Sequence, residues 1–234
     1  MNLLLFIQNE AGGVFTRITE APVSETVAKI NIWDLALKGG WLMIPIVLLL
    51  FIAVAILIER IFVIKNADKE DSTFMNRIKD YIYEGKIDSA INLCRMTNTP
   101  ISRMIEKGIS RLGRPMNDIL VAVENVGNIE VAKLEKGFAW VATAAATAPM
   151  IGFLGTVTGM VRAFFAMANA GANVDVTLLS SGIYEALVTT VAGLVVGIIA
   201  LLSYNYLVSQ VNRAVNKMET RSMEFMDLLN EPTK

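Results

Sequence analysis

The side chains of this chain that could do chemistry lie inside long apolar runs. Glu185 is the one charged residue between Gly182 and Val208, and Thr189 and Thr190 follow about one helical turn on. Thr156 and Thr158 stand among glycines in a second run, Phe138–Val161, which has no charge over 24 residues. An ionisable group inside a membrane is costly and faces a polar interior. Threonine hydroxyls donate and accept hydrogen bonds without titrating. They can hydrate an ion, or bind a partner's carboxylate, without trapping charge. The alternative is that each hydroxyl bonds its own i−4 carbonyl and lines nothing. Thr156 is about 16 Å along a helix from Met167, and Thr190 about 12 Å from Gly182. The threonines of both runs thus come to similar depth, below the carboxylate, and the chemistry they suggest is ion passage.

The remaining composition excludes most other chemistry. The 234 residues contain no histidine. Ser-His-Asp and Cys-His nucleophile pairs, His metal sites and HExxH proteolysis are therefore absent. Cys94 stands alone and forms neither an intrachain disulfide nor a CxxC site. No GxxxxGK[ST] phosphate loop and no GxSxG elbow occurs. A net charge of −1 gives no nucleic-acid footprint. No enzymatic activity, cofactor or metal is expected. An intramembrane protease would need paired span aspartates, Ser/His or a metal site, none of which is present.

The elements that must position the threonines are membrane spans. Apolar residues make up 54% of the chain and charged ones 18%, with a mean hydropathy of +0.51; soluble domains average roughly 45–50% and about 25%. Three runs approach the roughly 30 Å of a hydrocarbon core. The expected plan is all-α and integral to the membrane. Residues 1–40 form an outer N-terminus, 41–62 span one, 63–137 a cytoplasmic helical domain and 138–167 span two. Residues 168–181 form a short outer loop, 182–208 span three, and 209–234 a cytoplasmic C-terminal helix. Orientation follows the lysines and arginines. Twelve of 21 lie between spans one and two, four follow span three, and the loop Asn169–Ser181 has none. The N-terminus and the loop at 169–181 are therefore placed outside, and the central region and the C-terminus in the cytoplasm. Leu3–Ile7 is too short for a signal-peptide core. Val27, Ile30, Trp33 and Leu37 recur at helical spacing within Ser24–Lys38, as in an amphipathic helix lying on the membrane surface or packed on its own protein.

In the central domain, turn signals at Gly85-Lys86, Asn98-Thr99-Pro100 and Gly113-Arg114-Pro115 divide helices near 71–84, 87–97 and 101–112 from a long helix starting near 116. That helix is expected to run straight into span two. The domain's 12 basic and 11 acidic residues read as a solvated helix surface. After span three, Val208, Val211, Val215, Met218, Ser222, Phe225 and Leu229 form an a/d-like seam.

Span one is bulky and suited to lipid. Spans two and three carry small faces: Ala144, Ala148, Gly152, Gly155, Gly159 and Ala163 on the one, Gly182, Ala186, Gly193 and Gly197 on the other. Small residues let helices approach closely where lipid removes the hydrophobic driving force. Intrachain packing could use a single such face. Two small-faced helices in a three-span chain favour a homo-oligomer. A proton relay, however, needs a titratable group at mid-membrane, and this chain has none there. Glu59-Arg60 sits at the cytoplasmic end of span one and Arg162 near the outer end of span two. If ions cross here, the central titratable group must come from another subunit.

Thr147–Met160 (TAPMIGFLGTVTGM) resembles the second-span motif of the ExbB/TolQ/MotA family of ion-driven motor subunits, and Gly182–Leu194 (GIYEALVTTVAGL) its third-span motif. The resemblance covers roughly residues 33–210, Glu59-Arg60 included, and the three-span plan is similar to ExbB or TolQ rather than to the four-span MotA. It implies a pentameric ring around a dimer of ExbD/TolR-type single-span partners, each carrying the proton-binding aspartate that this chain lacks. It implies work drawn from the proton-motive force in the bacterial inner membrane and, in ExbB systems, delivered to a TonB-type protein. The family's pore-facing residues map onto Thr156, Glu185 and Thr190, and Pro149 matches the motif's proline. Helical geometry alone puts Thr189 about 40°, and Thr190 about 140°, from Glu185, so spacing prefers Thr189 and the resemblance prefers Thr190. A TolQ-type subunit of a Tol-Pal system and a partner-free passive channel are the alternatives.

Overall fold

The structure of the chain, a computed structural model, describes residues 39–67, 73–169 and 176–230, without the side chains of Val176 and Leu178. The expected helix at Ser24–Lys38 and the apolar Leu3–Ile7 lie outside these residues. The described residues form seven helices and no strand: α1 Met43–Ala67, α2 Phe74–Tyr83, α3 Ile87–Thr97, α4 Pro100–Ile109, α5 Met116–Leu134, α6 Phe138–Asn169 and α7 Val176–Asn230. Helices α1, α6 and α7 are each long and apolar enough to cross a membrane.

The small residues make the core of the three-helix bundle. Helices α6 and α7 pack antiparallel, and every small residue singled out on α6 is buried. A Cβ on Gly193 would lie 2.6 Å from the Ala148 carbonyl oxygen, and one on Gly152 would lie 2.9 Å from the Thr189 carbonyl oxygen. Gly159 meets Ala186, and Gly182 meets Ala163. These faces are therefore satisfied within one chain, which corrects the argument that they call for a second copy. What the bundle leaves uncovered is large and apolar instead: Phe51 and Phe62 on α1, Phe153 and Phe165 on α6, Leu187 and Leu202 on α7. Helix α1 closes one flank of the α6–α7 pair, with Ile46 against Ala148 and Val196, and Ala53 against Ala144 and Ala200.

Pro149 lies inside α6. It has no N–H for the Ala145 carbonyl, and its ring sits over Gly197, where a Cβ would come within 2.8 Å of Pro149 Cδ.

The helical domain is built by local signals. Asn98, in the left-handed region at φ 47°, ends α3. Thr99 and Ser102 form a reciprocal capping box with Pro100 in the first turn of α4. Ile78, Cys94, Ile105, Ile109, Val123 and Phe225 make the domain core. Gly108 leaves room for the Phe225 ring, so α7 is bolted to α4.

Two expectations are corrected. The helix from residue 116 does not run into span two. It ends at Leu134, and α6 begins at Phe138 after Gly137, whose φ of +90° is open to glycine and strained for other residues. The seam after span three holds at Val211, Met218 and Phe225, which are buried, but Val208, Val215 and Leu229 are only partly so and Leu207, Ala214 and Leu228 are buried beside it instead. Here α7 packs against several elements of its own chain, Leu134 and Phe138 among them, rather than a single partner helix.

Candidate functional site

The polar residues of the bundle fall into distinct groups around the α6–α7 seam. The Thr190 hydroxyl donates across the seam to the Gly152 carbonyl at 2.9 Å. In an α-helix that same carbonyl accepts the Thr156 N–H, so Thr156 and Thr190 share one level. The Thr156 hydroxyl donates to the Phe153 carbonyl at 2.6 Å. On α6, Ile151 packs on the α1 side, and Thr156 is about 140° round from it. On α7, Ala192 is on the α1 side, and Thr190 is about 160° round. Both threonines thus flank the seam on the side that α1 leaves open.

Thr189 is elsewhere. It is 1% exposed, pressed against Gly155, and its hydroxyl donates to its own chain's Ala186 carbonyl at 2.8 Å. Its Cβ side fills the notch that Gly155 leaves. Thr158 bonds the Leu154 and Gly155 carbonyls at 2.9 and 3.2 Å, as local back-bonding requires.

Glu185 lies on the α1 flank, away from Thr190. Its carboxylate approaches Gly40, which turns the chain into α1 at φ +66°, and stands 3.4 Å from the Arg162 guanidinium. An open hollow between α6 and α7, with Ser181 and Tyr184 on its wall, surrounds this ion pair. The pair was not foreseen. The signal was available: Arg162 and Glu185 each stand a few residues inside the same loop, on antiparallel helices.

Glu59 and Arg60 do pair, at 2.6 Å. Arg60 is nevertheless buried at 7% exposure, and its second nitrogen donates to the Lys133 carbonyl at 3.1 Å, in the last turn of α5. The guanidinium thus caps α5 and ties it to α1. The charges of the helical domain are not all solvated, either. Glu130 is 3% exposed and held by Arg103 and by Lys133 at 2.7 Å. Burial pushes its carboxyl up, but those bonds and charges outweigh burial and hold it below the ordinary value. Burial pushes the Cys94 thiol up to about 12, which leaves it unreactive.

Residues 96–220 match the MotA/TolQ/ExbB proton channel family. The chain belongs to that family. Its relatives include TolQ, a Tol-Pal system protein of Haemophilus influenzae, 31% identical over 79% of this chain and 87% of that one. An ExbB-like biopolymer transport protein of Synechocystis is 30% identical over 75% of this chain and 70% of its own. The biopolymer transport protein ExbB of Neisseria gonorrhoeae is 30% identical over 52% of this chain and 61% of its own. The chain is thus a multi-pass membrane protein of a proton-channel family, and the family segment takes in Gly152, Thr156, Glu185, Thr189 and Thr190.

Proposed function

We propose that this chain is an ExbB-type subunit of an inner-membrane motor driven by the proton-motive force. The observation that carries the reading is the Thr190–Gly152–Thr156 arrangement. It is a hydroxyl-bearing wall on the free flank of the α6–α7 pair, and α1, α6 and α7 hold no titratable side chain at its level. Such a wall binds a proton carrier without competing for the proton. In this reading five copies form a ring with that flank inward, around two helices of an ExbD/TolR-type partner, each supplying an aspartate. Residues 1–40 and the loop before α7 are periplasmic. The helical domain and the C-terminus are cytoplasmic.

Protonation of the partner's aspartate removes a charge that would be costly to move past apolar helix surface. The neutral side chain slides along the threonines, and release to the cytoplasm restores the charge. One elementary charge crossing 100 mV supplies about 2.3 kcal/mol, enough to bias each step. The rotation of ring against dimer is handed to a TonB-type protein for outer-membrane transport. Arg162 and Glu185 pair at the periplasmic end of α6 and α7, on the α1 flank and off the threonine wall.

The test is Thr156→Ala and Thr190→Ala, read by energised uptake and by native mass spectrometry of the complex with its partner. Uptake is lost while the ring still assembles; normal uptake in both variants overturns the reading. A TolQ-type role in a Tol-Pal system is the second reading, favoured by the longer match to the Haemophilus protein. Complementation separates the two. The ExbB role restores TonB-dependent uptake to a strain lacking ExbB, and the TolQ role restores envelope integrity to one lacking TolQ.

A further inference from the structure

The helical domain carries a cleft, of about 760 Å³, that the proton pathway does not use; it lies between α5 and α7. Met116, Met218, Met223 and Met226 line it. Unbranched thioethers repack around varied apolar surfaces, as promiscuous peptide-binding grooves require. Glu124, Glu219 and Asp227 also line it, and no lysine or arginine does. This bias is local, since basic and acidic residues nearly balance in the segment joining α1 to α6. The charge selects a basic occupant, and the methionines select one with an apolar face.

Position narrows the occupant further. Met226 follows Thr190 by 36 residues on one unbroken helix, about ten full turns. The cleft therefore continues the same stripe of α7 that carries Thr190. From Val215 to Asn230 it extends about 22 Å along α7, room for a helical segment of roughly 15 residues.

We propose that the cleft receives a basic amphipathic segment of the single-span partner, the stretch that leads into its membrane helix on the cytoplasmic side. This rests on the functional reading above. A helix lying along Thr190 brings its own flank down the same stripe, and cytoplasmic flanks of membrane spans are rich in lysine and arginine. Opposite charges along the cleft fix its register and speed its docking.

The test uses the full chain in membranes, co-expressed with an ExbD/TolR-type partner, with a photo-cross-linking residue in place of Met223 or of Leu194. Both side chains are exposed, at 66% and 47%. Adducts with the partner form at both positions. The triple variant Glu124→Gln, Glu219→Gln, Asp227→Asn lowers the Met223 adduct by about fivefold or more and leaves the Leu194 adduct unchanged. The Leu194 adduct also reports that the variant has folded; should it fail to fold, raising salt on the wild type lowers the Met223 adduct selectively. A Met223 adduct that joins two copies of this chain, or that ignores both charge and salt, overturns the proposal. Capture at Leu194 alone overturns it and leaves the functional reading standing. Capture of the partner at neither position overturns both.

Discussion

The Thr190 hydroxyl and the Gly152 carbonyl meet at 2.9 Å across the seam between α6 and α7. Interhelical hydrogen bonds inside membranes average about 0.6 kcal/mol, too little to hold this bundle together against the packing of its glycines. The hydroxyl therefore matters for what passes it. We predict that Thr190→Ser, which keeps the donor, retains proton-driven activity. Thr190→Val, which keeps the shape and loses the donor, abolishes activity while lowering the melting temperature of the detergent-solubilised protein by only a few degrees. Equal activity in the two variants would show that the oxygen is irrelevant.

Gly40 and Glu185 make a second contact with a measurable signature. Gly40 sits at φ +66°, and a Cβ there would run into the Glu185 carboxylate. Gly40→Ala is expected to destabilise by at least about 1 kcal/mol from the backbone alone, with a further loss from the collision. Glu185→Ala in the same chain recovers the collision part and not the backbone part. Arg162 is more than half exposed, so Arg162→Ala costs under about 1 kcal/mol. Thermal unfolding of the single and double variants checks all three, and a Gly40→Ala protein that melts like the wild type would refute the contact.

The amino-acid pattern already carried much of this architecture, for identifiable physical reasons. Small residues have few uses in a membrane helix other than close approach, so Ala144, Ala148, Gly152, Gly155, Gly159 and Ala163 marked the buried stripe of α6. Their partner was less legible, because a small face looks the same whether its neighbour is in the same chain or another. Thr189 and Thr190 illustrate a similar limit. Spacing from Glu185 favoured Thr189, but a residue on the carboxylate's side of α7 is also on the α1 side of the seam, where Gly155 and Thr189 interlock. The ion pair of Glu130 was missed because charge counts say nothing about which carboxylate the fold encloses. The break at Gly137 was underrated for a different reason: a single glycine is tolerated in helices, and only its φ of +90° shows that this one ends α5.

Glu130 gives the helical domain a pH dependence whose sign follows from its partners. Burial alone would raise its pKa, but Arg103 and Lys133 bring the net below the ordinary value of 4.5. The folded protein thus holds this proton less tightly than the unfolded chain. The stabilisation is complete above the unfolded value and is lost as pH falls through the folded one. We predict that wild-type melting falls steeply below about pH 4.5 and that Glu130→Gln flattens this part of the profile. Glu130→Ala removes two charge-assisted hydrogen bonds but leaves Arg103 and Lys133 partly exposed, so it costs about 2 kcal/mol at neutral pH. Glu59→Ala, which leaves the buried Arg60 guanidinium without a carboxylate, also destabilises. Parallel pH profiles for wild type and Glu130→Gln would rule the cluster out as the source.

Pro149 and Gly197 form the tightest test of the seam because each explains the other. The proline leaves the Ala145 carbonyl without its helical donor, and a Cβ on Gly197 would lie 3.3 Å from that oxygen and 2.8 Å from Pro149 Cδ. Gly197→Ala therefore forces the ring and the helix away and is expected to cost about 1–3 kcal/mol, the usual price of overpacking. Pro149→Ala removes Cγ and Cδ and restores an N–H for Ala145. Combined with Gly197→Ala, it should bring the melting temperature back to that of Pro149→Ala alone, a coupling of the two sites well beyond additivity. If the costs simply add, Gly197 is not there for the proline ring. If the double variant melts as predicted but has lost proton-driven activity, the proline serves the motion of the helix and not its packing.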